Sequence, residues 1–131
     1  MLTIRLFLHV LAASVWVGGQ IVLVAVVPAI RTTYPEATKL VAKAYGRIAW
    51  PAFAVVVVTG IWHLTEIPVT SSDTAYQVTL FVKISVAILS GAAVAVHQFG
   101  QTKLALAAGG AVGFVAALAA MYLGFVLRTG A

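Results

Sequence analysis

Four apolar stretches dominate the sequence, at about Ile4–Ala29, Ile48–Leu64, Tyr76–Val96 and Ala107–Leu127. Each is close to the ~20 residues that an α-helix needs to cross ~30 Å of hydrocarbon. Backbone amides cannot go unpaired in lipid, so such stretches must be helices. The short alternating segments of a membrane barrel are not visible. The pattern predicts an all-α integral membrane four-helix bundle, a single transmembrane domain over residues 1–131. The first stretch runs too far for the apolar core of a signal peptide, which predicts a spanning helix there.

Composition agrees with this reading. Hydrophobic residues make up 63% of the chain and charged residues 8%, against roughly 25% charged in soluble domains. The net charge of +5 does not point to nucleic acid, because the basic residues are scattered between apolar runs and form no stripe. Their placement reports topology instead. Arg31, Lys39, Lys43 and Arg47 lie between the first two spans and Lys103 between the last two, whereas the middle connection carries only Glu66 and Asp73. By the positive-inside rule the first and third loops face the cytoplasm and both termini lie on the non-cytoplasmic side. Arg5 and Arg128 then count as flanking charges on the outer side. The expected location is a bacterial inner (cytoplasmic) membrane.

Without a hydrophobic drive between helices in lipid, close packing requires small residues. The fourth span offers Gly109, Gly113, Ala116, Ala120 and Gly124, and the third Ser90 and Gly91. These positions are expected at helix contacts.

Polar residues inside spans are costly and tend to face the bundle interior. His9, Ala13, Trp16 and Gln20 recur at steps of four, three and four, and so share one helix face. Lys83, Ala87, Ser90, Val94 and His97 form a similar stripe on the third span. From topology, His9, His63, Lys83 and Met121 fall in the outer leaflet, and His97 at the cytoplasmic end. Trp50 and Trp62 lie near span ends, where tryptophan ordinarily anchors at the interface.

The chain has no cysteine, which excludes thiolate metal sites, iron–sulfur clusters and covalent haem attachment. The three carboxylates lie in expected loops, so hydrolytic carboxylate pairs and zinc catalysis have little material, and no catalytic residue is assigned. Two chemistries suit His9 and His63. As axial ligands they would hold a b-type haem, with Trp16, Gln20 and Lys83 lining the pocket and an electron-transfer or redox-accessory role. This is the preferred expectation. The alternative is copper held by His9, His63 and Met121, with His97 a further candidate, since imidazole and thioether suit that metal. A third possibility is a structural subunit of a larger membrane complex. Expected partners are the lipid bilayer, a membrane or periplasmic redox or metal-delivery protein, and further copies of the chain or other subunits.

The run Leu8-His9-Val10-Leu11-Ala12-Ala13-Ser14-Val15-Trp16-Val17-Gly18-Gly19 resembles the first helix of the CopD family of membrane proteins, named for copper resistance. Tyr45-Gly46-Arg47-Ile48-Ala49-Trp50-Pro51 and Thr59-Gly60 resemble the start and end of that family's next helix. Lys83 in Leu80-Phe81-Val82-Lys83 is similar to the lysine that opens its third. The resemblance covers about three-quarters of the chain and implies a four-helix unit linked to copper uptake or tolerance. It extends distantly to the HemJ-type protoporphyrinogen oxidases, which bind haem through a first-helix histidine and need a third-helix lysine. That would point to His9 and Lys83. The first helix here lacks an aromatic-rich continuation, and His63 lies outside that pattern, so enzymatic activity is the minority expectation.

Overall fold

The structure is a computed structural model that describes residues 2–130. It is all-α, with four long helices: α1 (Leu2–Thr33), α2 (Ala37–Glu66), α3 (Thr74–Phe99) and α4 (Lys103–Thr129). A single 3₁₀ turn, Val69–Ser71, precedes α3. All four helices are long and apolar enough to cross a membrane, and the protein is an integral membrane protein. The chain divides into two compact units, Met1–Glu66 and Ile67–Ala131. Each is an antiparallel helical hairpin, α1 with α2 and α3 with α4.

The second helix begins eleven residues earlier than its apolar stretch suggests. The polar segment 31–47, expected as a loop, is reduced to a turn at 34–36. The Tyr34 amide donates to the Ile30 carbonyl at 2.6 Å and the Ala37 amide to the Tyr34 carbonyl at 2.9 Å, which closes the turn. The reason is local propensity: Ala, Lys and Arg are good helix formers. Lys39, Lys43 and Arg47 recur every four residues and are exposed, so their long stems can carry the charges out along one face of α2. The α3–α4 connection is equally short. Thr102 caps α4 by accepting the Ala105 amide at 3.0 Å, and Asp73 caps α3 by accepting the Tyr76 amide at 2.7 Å. Gln77 Nε2 donates to the Val69 and Ser72 carbonyls, both at 2.9 Å, and so ties the preceding loop to α3.

In the first hairpin the contact is aromatic. Trp16 is 4% exposed and its ring centre lies 4.6 Å from Phe53 and 5.3 Å from Trp50. Trp50 therefore takes part in this cluster, where its place near a span end had suggested an interfacial anchor. Gly19 lets the Tyr45 ring approach: a Cβ there would stand 3.3 Å from the ring. The second hairpin packs through small residues, as expected. Gly109, Gly113, Ala116, Ala117, Ser90, Gly91 and Ala93 are all buried.

Ser90, 1% exposed, donates its hydroxyl to the Gly113 carbonyl at 2.8 Å. Hydrogen bonds between membrane helices contribute about 0.6 kcal/mol on average. Ser90→Ala is accordingly expected to lower stability by about 0.6 kcal/mol, and by no more than roughly 1.7 kcal/mol, in a denaturant titration in mixed micelles. A larger loss would show that the hydroxyl carries more than this one bond.

Candidate functional site

The polar side chains of the first hairpin gather at one end, where the start of α1 meets the end of α2. From α1 come Arg5 and His9, one turn apart; from α2 come Thr59, Trp62, His63 and Glu66. The two imidazole rings lie 6.2 Å apart, centre to centre, with an interplanar angle of 35°. Both histidines are half-buried. His9, expected to face inward on its stripe, therefore meets His63 as the shared depth of the two residues suggested.

A threonine that the polar stripe did not flag fixes the orientation of His9. His9 Nδ1 stands 2.8 Å from Thr59 Oγ1. The same hydroxyl lies 2.6 Å from the Val55 carbonyl one turn back. A hydroxyl has one hydrogen to give, and a carbonyl can only accept. With that hydrogen directed to Val55, Thr59 Oγ1 accepts from His9 Nδ1–H. In that tautomer Nε2 of His9 carries the lone pair of the ring. Thr59 is 3% exposed, so the relay is well held. Ligating histidines characteristically carry such a partner on the second nitrogen. The adjacent Gly60 also faces the ring: a Cβ there would make an ordinary van der Waals contact with His9 Cε1 at 3.7 Å.

Arg5, assigned from the sequence as an outer flanking charge, is 5% exposed. Its Cζ lies 5.9 Å from the centre of the Trp62 ring and its Nη1 3.8 Å from Glu66 Oε2. The sequence held a signal for this, because Arg5 extends the stripe of His9, Ala13, Trp16 and Gln20 by one more turn.

The other candidates serve different ends. Trp16 is core, as described. Gln20 turns back on its own helix, where Nε2 donates to the Trp16 carbonyl at 3.1 Å. Tyr45 donates to the same carbonyl at 3.2 Å. Tyr45 thus ties α2 to α1, whereas the bond of Gln20 stays within α1. Lys83, His97 and Met121 belong to the second hairpin. Lys83 is half-buried and lies along α4, its Nζ 3.4 Å from where a Cβ on Gly124 would stand. His97 is exposed, and its Nδ1 donates to the Leu106 carbonyl, which fastens the turn between α3 and α4. Met121 is half-buried on α4.

His9 is bonded to Thr59, and His63 follows one turn later. At ~1.5 Å rise per residue that turn spans about 6 Å along α2, nearly the whole ring separation. An imidazole nitrogen holds a first-row ion at about 2 Å, a reach that suits two rings 6.2 Å apart. Among the described residues no group of three or more His, Cys, Asp or Glu side chains could hold a metal. The pair is thus a two-nitrogen donor set. Four-ligand structural zinc has no basis in it.

Comparisons with protein-family models, with curated proteins and with solved structures gave no match.

Proposed function

We propose that this protein binds copper, as Cu(I), between His9 and His63 and handles it at the outer face of a bacterial cytoplasmic membrane. The observation that carries this reading is the pairing of the two rings at 6.2 Å with His9 Nδ1 bonded to Thr59. Among first-row ions copper accepts imidazole readily, and its closed-shell monovalent form tolerates a low coordination number. Two nitrogens without an anionic ligand suit a monovalent ion better than a divalent one, because less charge has to be balanced in a poorly solvated place. The resemblance of the His9 and Trp16–Gly19 motif to CopD proteins points the same way. A site at the membrane surface would exchange its ion with a soluble metal-delivery partner. Histidine-bound haem with a redox role is the competing reading. The same ring separation would also suit two axial ligands of one iron, so the spectrum and the titration together distinguish the readings.

The test is a Cu(I) titration of the detergent-purified protein against a chromophoric Cu(I) chelator, with a visible spectrum of the same sample. One equivalent of Cu(I) is expected, with binding lost in His9→Ala and weakened at least tenfold in His63→Ala. A Soret band that disappears in His9→Ala would assign the site to haem and overturn the copper reading. Unchanged Cu(I) affinity in both variants would also overturn it.

A further inference from the structure

We infer that Arg5 receives a phosphate group at the end of the α1–α2 hairpin, supplied by the headgroup of an anionic phospholipid. The starting point is an imbalance of donors. A guanidinium carries five N–H donors and no acceptor, and it stays charged in any protein environment. Arg5 is 5% exposed, and its Nε is buried with no partner among the described residues. Its ion pair with Glu66 spans 3.8 Å, beyond hydrogen-bonding reach. Buried polar groups are nearly always hydrogen-bonded, and a buried charge is costly unless it is paired. Arg5 thus has a loose counter-charge and, at Nε, a buried donor in want of an acceptor.

The surroundings define that acceptor. One direction from the guanidinium is taken by the Trp62 ring at 5.9 Å, a cation–π contact that holds the group without using its N–H donors. Glu66 is the loose partner: its side chain is 55% exposed and it ends α2, so it can swing into water. An incoming oxyanion would take its place and accept the parallel N–H pair of the guanidinium, the geometry that makes arginine the usual ligand of phosphate. Arg5 stands in the first turn of α1 and Glu66 in the last turn of α2, the level of the headgroups for helices that span. On the same turns of α1, Leu2 is 50% exposed, Ile4 47% and Phe7 62%. A cation at the headgroup end of a helix whose outer faces are apolar fits an amphiphile, with the phosphate on Arg5 and the acyl chains along α1. A free phosphate ion would leave that apolar surface unused.

Native mass spectrometry of the intact protein in detergent, offered equal amounts of phosphatidylglycerol and phosphatidylcholine, tests the assignment. Phosphatidylglycerol is expected to be retained preferentially, and Arg5→Gln to reduce that retention about tenfold, as loss of a charged hydrogen bond implies. Glu66→Gln removes the competing carboxylate at an exposed position and is expected to raise retention about two- to threefold. It keeps the test decisive even where Arg5→Gln fails to fold. Equal retention of the two lipids, or unchanged retention in Glu66→Gln, would overturn the inference. Displacement of phosphatidylglycerol by millimolar inorganic phosphate would overturn the lipid source and assign the site to a soluble phosphate ion. None of these outcomes depends on whether His9 and His63 bind copper.

Discussion

Thr59→Val is expected to weaken Cu(I) binding about 10- to 100-fold while leaving the stoichiometry at one, the usual cost of deleting an outer-shell partner of a ligating histidine. Valine matches threonine in shape, so the hairpin keeps its packing and only the hydroxyl is lost. That hydroxyl joins His9 Nδ1 at 2.8 Å to the Val55 carbonyl at 2.6 Å. Without it the ring is no longer held in one tautomer, and the half-buried Nδ1–H lacks the acceptor that paired it. Thr59→Ser keeps the oxygen and is expected to bind within about threefold of the parent, since the hydrogen bond itself survives. The same chelator competition that titrates the parent protein reads both variants. Equal affinity in Thr59→Val and the parent would show that Thr59 serves packing alone. The comparison with Thr59→Ser separates the relay from a general loosening, because both variants trim or replace the same small side chain.

The four spans were legible because length and apolarity are nearly sufficient evidence for a membrane helix. The ends of the helices were less so. Hydropathy marks where lipid begins, whereas the hydrogen-bonded helix runs on through the basic face of Lys39, Lys43 and Arg47, where propensity decides. The small-residue contact of α3 with α4 could be read from spacing, since glycine and alanine at every fourth position leave few alternatives. His9 could be singled out from its stripe, and its partnership with His63 from shared depth. Arg5 and Thr59 were not singled out, for different reasons. Arg5 is a charge at a span end, where topology arguments count it as exterior, although its place one turn before His9 puts it on the inward stripe. Thr59 is a residue that ordinarily bonds its own helix, so nothing in its local sequence shows that its oxygen also serves a neighbour. Glu66 was read as a loop carboxylate because α2 outlasts its apolar stretch. Gln20 shows the converse: its place on the His9 stripe was right, but a side chain one turn from the Trp16 carbonyl satisfied itself locally.

Gly109→Ala is expected to destabilise the second hairpin by about 3 kcal/mol, the upper end of the range for overpacking. Intrinsic propensity argues for the opposite sign, since alanine is favoured over glycine inside a helix by about 1 kcal/mol. The collision decides the outcome. A Cβ at Gly109 would stand 2.6 Å from the His97 amide nitrogen and 2.7 Å from the Ala93 carbonyl oxygen. Both are backbone atoms of α3, and no rotamer change can move them, so α3 and α4 must separate along this contact. Separation also strains the neighbouring bond from His97 Nδ1 to the Leu106 carbonyl, which depends on the same close approach. Gly18→Ala supplies the contrast within one chain, because a Cβ there meets nothing within 4 Å. Propensity then acts alone and the variant is expected to be neutral or more stable by up to about 1 kcal/mol. Denaturant titration of the two variants in mixed micelles measures the difference, expected at about 3–4 kcal/mol in favour of Gly18→Ala. Equal stabilities would mean that α3 and α4 do not approach through Gly109, and that the glycines of α4 serve something other than helix contact.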